Sequence, residues 1–212
     1  MKPAFSLPIE TSSRIGRIFK IFFTFRILKL DIFICVLYNN DMIYKANEIS
    51  RNQQSKLNNP VRGYYTRGLF DYFDIYLQRY DTSVVTLKTA LSIHGIIDEW
   101  VNFPFDLCFR DGYRKIEDEK VNQFRDKEEI LLLGVETKRR KQTTFKVYNK
   151  ERLLIELWRK EKYISKDIYK EAIFKYRAMA NDGTLNIPLL KEYIHKMPKS
   201  QIYLDRLSME IL

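Results

Sequence analysis

The spacing of apolar positions changes period sharply at Asn149. Before it, Phe145, Val147 and Tyr148 are strand formers on a partly alternating pattern; after it, Leu153, Leu154, Leu157 and Trp158 recur at helical spacing. Asn149 itself is a good helix N-cap, because its side chain can take up a free backbone N–H. The pattern predicts a strand feeding an amphipathic helix, with Lys150, Glu151, Glu156 and Arg159 turned mostly toward water. Upstream, in TSVVTLKTALSIHGIID (82–98), Val84 and Val85 predict a buried strand and Thr86 a cap. Leu87, Ala90, Leu91 and His94 then share one helical face that ends at Gly95. FPFDLCFRDGYRK (103–115) reads as a strand and a glycine turn. LFDYFDIYLQRY (69–80) predicts a linker helix whose Phe70, Phe73 and Leu77 belong to a core. Toward the C terminus, Ser165 caps a helix through Arg177 and Gly183 breaks the chain. Ile187 to Met197 form another helix with Pro188 in its first turn, and Ser200 opens the last. The fold class expected is α+β, with a mixed α/β domain that ends in helices.

The order of these blocks carries more information than any one of them. A strand, the TALSIHGI helix, a strand ending in GYRK, a strand at Gly134 to Val135 and VYNKERLLIEL together resemble the AbiEi-type antitoxin family of bacterial type IV toxin–antitoxin, or abortive infection, systems. In that family the blocks look like SALYLHGL, a GYRR-type turn and VYDRERTLVDLLR. Ala90, Leu91, His94, Gly95, Gly112, Tyr113, Arg114, Gly134, Tyr148, Glu151, Arg152 and Leu153 match the pattern, over a cover of about Gly63 to Leu212. Asn149 stands in place of its usual Asp, Leu154 at a position usually small, and Glu156 in place of Asp. The resemblance implies a domain boundary near residue 68, with 69–212 as the antitoxin domain and 1–68 as a helical DNA-binding region. Relatives carry a winged helix-turn-helix there; in this chain it is degenerate or incomplete.

In that region VRGYYTRG (61–68) reads as the wing, with Gly63 and Gly68 permitting a tight hairpin and Arg62 and Arg67 placed to meet backbone phosphates. DIFICVLYNNDMIYKANEIS would supply a first helix, an Asn-Asn turn and a second helix from about Tyr44. Only RNQQSKLNN (51–59) remains before Pro60 for a recognition helix, and it lacks a regular apolar pattern. Arg51, Asn52, Gln53 and Gln54 are nonetheless of the right type for base edges. The candidate DNA contacts are therefore Arg51, Gln53, Lys56, Arg62 and Arg67, with an exposed polar loop as the alternative.

Composition adds a polyanion to the expected partners. The net charge is +10, and the run from Arg14 to Lys29 is purely basic, with Arg14, Arg17, Lys20, Arg26 and Lys29 before Asp31. A solvated basic surface without a ligand is the alternative. Cys35 and Cys108 lie far apart in apolar or strand-like surroundings and read as buried thiols of a reducing cytosol, and no tetrahedral metal site can be assembled. The apolar run from Ile18 to Tyr38 is interrupted by Lys20, Arg26, Lys29 and Asp31, whereas a spanning helix needs about 20 largely uncharged residues. The expectation is a cytoplasmic protein, with membrane association the minor alternative.

KRRK (138–141) falls between two strands, and the pattern places it at a hairpin tip where Lys138, Arg139, Arg140 and Lys141 form a second phosphate-binding surface. A rival reading takes Asp106, Glu136 and Lys138 as a PD-(D/E)xK-like nuclease pattern, two carboxylates holding Mg²⁺ while the lysine orients water. His94 lies on the apolar face of a helix, where a packed core histidine is expected, and Glu151 and Arg152 read as polar anchors of their helix. The leading expectation is a non-enzymatic protein without cofactors. As the resemblance implies, it would bind inverted repeats in its own promoter, repress it, and oppose a nucleotidyltransferase toxin without a required stable complex. An interaction module that has lost DNA binding is the third reading.

Overall fold

Residues 42–100, 103–141 and 143–212 are described by a computed structural model, in which the chain separates into two units, Met1–Asp71 and Tyr72–Leu212. The boundary falls three residues beyond the expected end of the wing at Gly68. The basic run from Arg14 to Lys29, the apolar run from Ile18, the first helix and Cys35 lie outside the described residues.

In the first unit, β1 (Met42–Lys45) is followed by one 3-10 turn (Ala46–Glu48), a single helical turn α1 (Arg51–Gln54), and the hairpin β2 (Asn58–Val61) and β3 (Tyr64–Arg67). The strands form an antiparallel sheet in the order β1-β3-β2. Pro60 sits on β2, an edge strand, where its missing N–H leaves no ladder bond unmade. Val61 pairs with Tyr64 across a two-residue turn, Arg62-Gly63, and Gly63 adopts a φ of +87° that a side chain would resist. The tight hairpin expected within 61–68 is thus present. The second helix expected from about Tyr44 is instead a strand, because Met42–Lys45 pairs residue for residue with Tyr64–Arg67 and tertiary pairing outweighs the weak local signal of four residues.

The second unit is built on a five-stranded sheet of order β6-β5-β4-β8-β7. Its strands are β4 (Val84–Val85), β5 (Phe105–Arg110), β6 (Val121–Asp126), β7 (Val135–Arg140) and β8 (Thr143–Tyr148). β4 runs antiparallel to β5 and parallel to β8, β5 runs parallel to β6, and β7 antiparallel to β8. Successive residues of a strand point to opposite faces, so Phe105, Leu107 and Phe109 share one face of β5 while Asp106 and Cys108 share the other. On the first face lies α2 (Tyr72–Arg79), with Phe73 5.0 Å from Phe105 and 6.0 Å from Phe145, and Tyr76 5.6 Å from Phe105. Phe73 and Leu77 are buried as the pattern predicts, whereas Phe70, which precedes the helix, is half-buried.

On the other face lies α5 (Lys150–Arg159), joined to β8 through Asn149, whose side chain accepts from the Arg152 N–H at 2.9 Å. The helices α3 (Leu87–Ile93) and α7 (Ile187–His195) pack against α5. The remaining helices are α4 (Glu128–Leu131), α6 (Lys166–Asn181) and α8 (Ser200–Arg206), with a 3-10 turn at Glu161–Tyr163 and a π turn at Leu207–Ile211. Ser165 and Asn186 cap α6 and α7 as expected from their residue types, and Pro188 occupies the first turn of α7. The class is α+β, a mixed α/β unit with a helical C terminus. Among the described residues no helix is long and apolar enough to cross a membrane.

Candidate nucleic-acid interface

The first unit gathers three of the five expected DNA contacts. Tyr44 of β1, Gln53 of α1, Lys56 and Arg67 of β3 line one shallow cleft of about 310 Å³ together with Ile49 and Leu57. The positions follow from local chemistry. Ser50 accepts from the Gln53 N–H while its own N–H donates to Gln53 Oε1 at 2.9 Å, a capping box that fixes the start of α1. The Gln54 amide donates to the carbonyls of Ala46 and Ile49, tying α1 to the 3-10 turn before it. Arg51, Gln53 and Lys56 are all exposed. Arg62 stands in the hairpin turn and is also exposed, while Arg67 ends β3 opposite Met42. Gln53 Oε1 is held by the cap, so the group left to read a base edge is its NH₂.

In the second unit the KRRK segment is not a tip. Lys138, Arg139 and Arg140 belong to β7, and only Lys141 stands in the turn, with a φ of +49°. The alternation of the strand divides them between its faces, Lys138 and Arg140 to one and Arg139 to the other. Lys138 bonds Glu136 at 3.2 Å and the His94 ring at 3.2 Å. Arg140 lies 3.9 Å from Asp74 and covers the rings of Phe73 and Trp100. Arg139 and Lys141 remain exposed. The expected patch of four adjacent charges is corrected to two, because a strand cannot present consecutive residues on one side.

The nuclease constellation is not brought together. Glu136 pairs with Val147, Val147 with Val85 and Val85 with Leu107, which puts Glu136 and Lys138 on the face of Leu107 and leaves Asp106 on the opposite one. Two strands, β4 and β8, also intervene, a separation of roughly 14 Å. Asp106 is buried and accepts from the Asn122 amide at 2.8 Å. Its burial pushes the carboxyl above its ordinary range despite that hydrogen bond.

His94 is the packed histidine expected of an apolar helix face. Its Nε2 lies 2.8 Å from the Tyr148 carbonyl, which can only accept, so Nε2 carries the proton and Nδ1 accepts from Lys138. Burial, aided by the Lys138 ammonium, lowers its pKa against the opposing pull of the Tyr148 carbonyl and Glu136. A group that binds its proton less readily folded than unfolded lends stability above its unfolded value, and that stability is lost as pH falls. Stability should therefore decline as pH drops below about 6.5, and a His94→Gln variant, followed by thermal denaturation across pH, should lack that component.

The largest surprise lies on α5. Glu151 and Arg152 are buried as anchors, with Glu151 accepting from the Asn186 N–H at 3.1 Å and the Arg152 guanidinium 4.6 Å from the Tyr148 ring. Glu156, which like Glu151 is expected from the pattern to face water, is instead fully buried and meets Arg152, Arg159 and Lys160, the last at 2.6 Å. Arg159 and Lys160 continue to Asp126 of β6 at 2.7 and 3.3 Å. Burial would raise the Glu156 carboxyl, but Arg152, Lys160 and Arg159 together hold it at about 2. Cys108, beside Lys160 at 3.8 Å, is a buried free thiol pushed up to about 12 by that burial. The signal for this cluster was present in the sequence: Arg152, Arg159 and Lys160 stand four before, three after and four after Glu156, so the helix carries its own counter-ions. Paired with one another and with Asp126, these charged groups pin α5 to the sheet. In comparison with known proteins, no family model matches the chain and no curated protein does.

Proposed function

We propose that the chain is a DNA-binding antitoxin of the AbiEi type, a cytoplasmic autorepressor that occupies inverted repeats in its own promoter and opposes a nucleotidyltransferase toxin. The observation that carries this reading is the joining of Gln53, Lys56 and Arg67 in one cleft beside a hairpin with Arg62 at its turn. Such a hairpin, paired to a strand that precedes the helical turn, supports a wing that lies along a phosphate backbone. The short α1 offers one turn, about 6 Å of helix, so base reading falls on few side chains and phosphate contacts carry most of the affinity. The reading assigns the chain no catalytic step.

A gel-shift titration on the upstream region at two salt concentrations tests it. Tight binding confined to the inverted repeats is expected. Arg62→Ala and Arg67→Ala should each weaken binding to every sequence alike and reduce the salt slope by about 1, whereas Gln53→Ala should relax sequence preference. Weak, equally salt-sensitive binding to any duplex would overturn the proposal.

A further inference from the structure

A second cleft, of about 760 Å³, opens where α5 meets α6 and is lined by Trp158, Arg159, Glu161, Lys162, Ile164, Lys166, Tyr169 and Lys170. Its charge is lopsided. Glu161, the acid of the lining, is taken up by Arg206 at 2.8 Å, and Arg159 is taken up by Asp126 and Glu156. Lys162, Lys166 and Lys170 are exposed, and among the described residues none of the three is paired with an acid. Lys166 and Lys170 stand one turn apart on α6, and the same row continues to Phe174, a phenylalanine 74% exposed. At the other end Tyr163 is 61% exposed beside Lys162, whose ammonium lies 4.8 Å from its ring centre. Phe174 thus stands on the side of α6 away from Ala172, Ile173, Tyr176 and Met179, which are buried.

A row of unneutralised cations with an exposed aromatic at each end has a specific chemical complement. The phosphates of a flexible polyanion satisfy the lysines, and unpaired bases supply flat faces for Tyr163 and Phe174. Duplex DNA offers the phosphates but keeps its bases stacked inside, and an acidic peptide offers charge without regular flat faces. We propose that this cleft binds single-stranded nucleic acid, its backbone along Lys162, Lys166 and Lys170 and its bases stacked on Tyr163 and Phe174. The proposal does not rest on the operator binding proposed for the first unit.

Fluorescence anisotropy of the full chain with labelled dodecathymidylate and dodecauridylate tests the site, the two oligomers telling DNA from RNA. Saturable binding is expected for at least one, with a Lys162→Gln/Lys166→Gln/Lys170→Gln variant at least ten-fold weaker and its salt slope smaller by about 2. The matching lysine-to-arginine variant should retain binding, and Phe174→Ala should weaken it roughly five-fold or more with the salt slope unchanged. Thermal melts establish that these surface variants are folded. Absence of saturable binding, equal binding by the glutamine variant, or equal affinity for a polyglutamate of the same charge would overturn the proposal.

Discussion

Glu156→Ala is expected to cost about 3–5 kcal/mol, the range for breaking a buried ion pair from one side, a large fraction of the roughly 5–15 kcal/mol that stabilises a typical domain. The loss exceeds that of a missing contact because Arg152, itself fully buried, would keep its charge with no carboxylate beside it. Urea denaturation monitored by tryptophan fluorescence measures it; a loss below about 1 kcal/mol would show that water or Asp126 takes over the cations. Glu156→Gln should fall between, since it keeps the volume and loses the charge. The pH dependence has a fixed sign. The Glu156 pKa lies near 2 in the folded chain against 4.5 when unperturbed, so its contribution is complete above about pH 4.5 and disappears as pH falls toward 2.

Gly134→Ala is expected to cost roughly 2–5 kcal/mol, through two effects that add. Gly134 has a φ of +67°, which strains any L side chain, and a Cβ there would lie 2.5 Å from Cβ of Arg152 and 3.1 Å from Oδ1 of Asn149. Neither neighbour can yield: Asn149 caps α5 and bonds the Gly134 carbonyl, and Arg152 is locked in the ion cluster. Gly112→Ala and Gly183→Ala are the controls, because both positions have positive φ but nothing within 4 Å of a new Cβ. Thermal denaturation should show Gly134→Ala melting lowest, by on the order of 5–15 °C, with each control shifted only by its backbone strain. Equal shifts in all three would place the whole effect in φ and refute the close approach to Arg152.

These two positions show what the sequence made legible and what it hid. The strand, cap and helix of 145–158 could be read because each signal is local: alternation, an Asn, then a spacing of three and four. The helices after Ser165 were legible for the same reason, through Ser165, Pro188 and Gly183. A pattern of polar and apolar residues counts Glu156 as exposed because it counts every charge so, although its counter-ions Arg152, Arg159 and Lys160 lie at helical spacing; only their further tie to Asp126 on β6 is non-local. The start of the helix expected from about Tyr44 falls in β1 because so few residues carry too little periodicity to compete with pairing to β3. Of the candidate contacts, the wing arginines could be read from Arg-Gly spacing. The grouping of Lys162, Lys166 and Lys170 could not, since it depends on how a 3-10 turn and α6 close around Trp158.

The alternation of β7 also sets how many ions a bound polyanion could displace there. Lys138 and Arg140 already spend their charge on Glu136 and Asp74, so of the four it is Arg139 and Lys141 that can neutralise phosphates and release the counterions condensed on them. A single strand bound along that hairpin would show a log–log salt slope near −1.4, where four free charges would give about −2.8. Valence counted along a sequence is thus twice the valence this strand can present in solution.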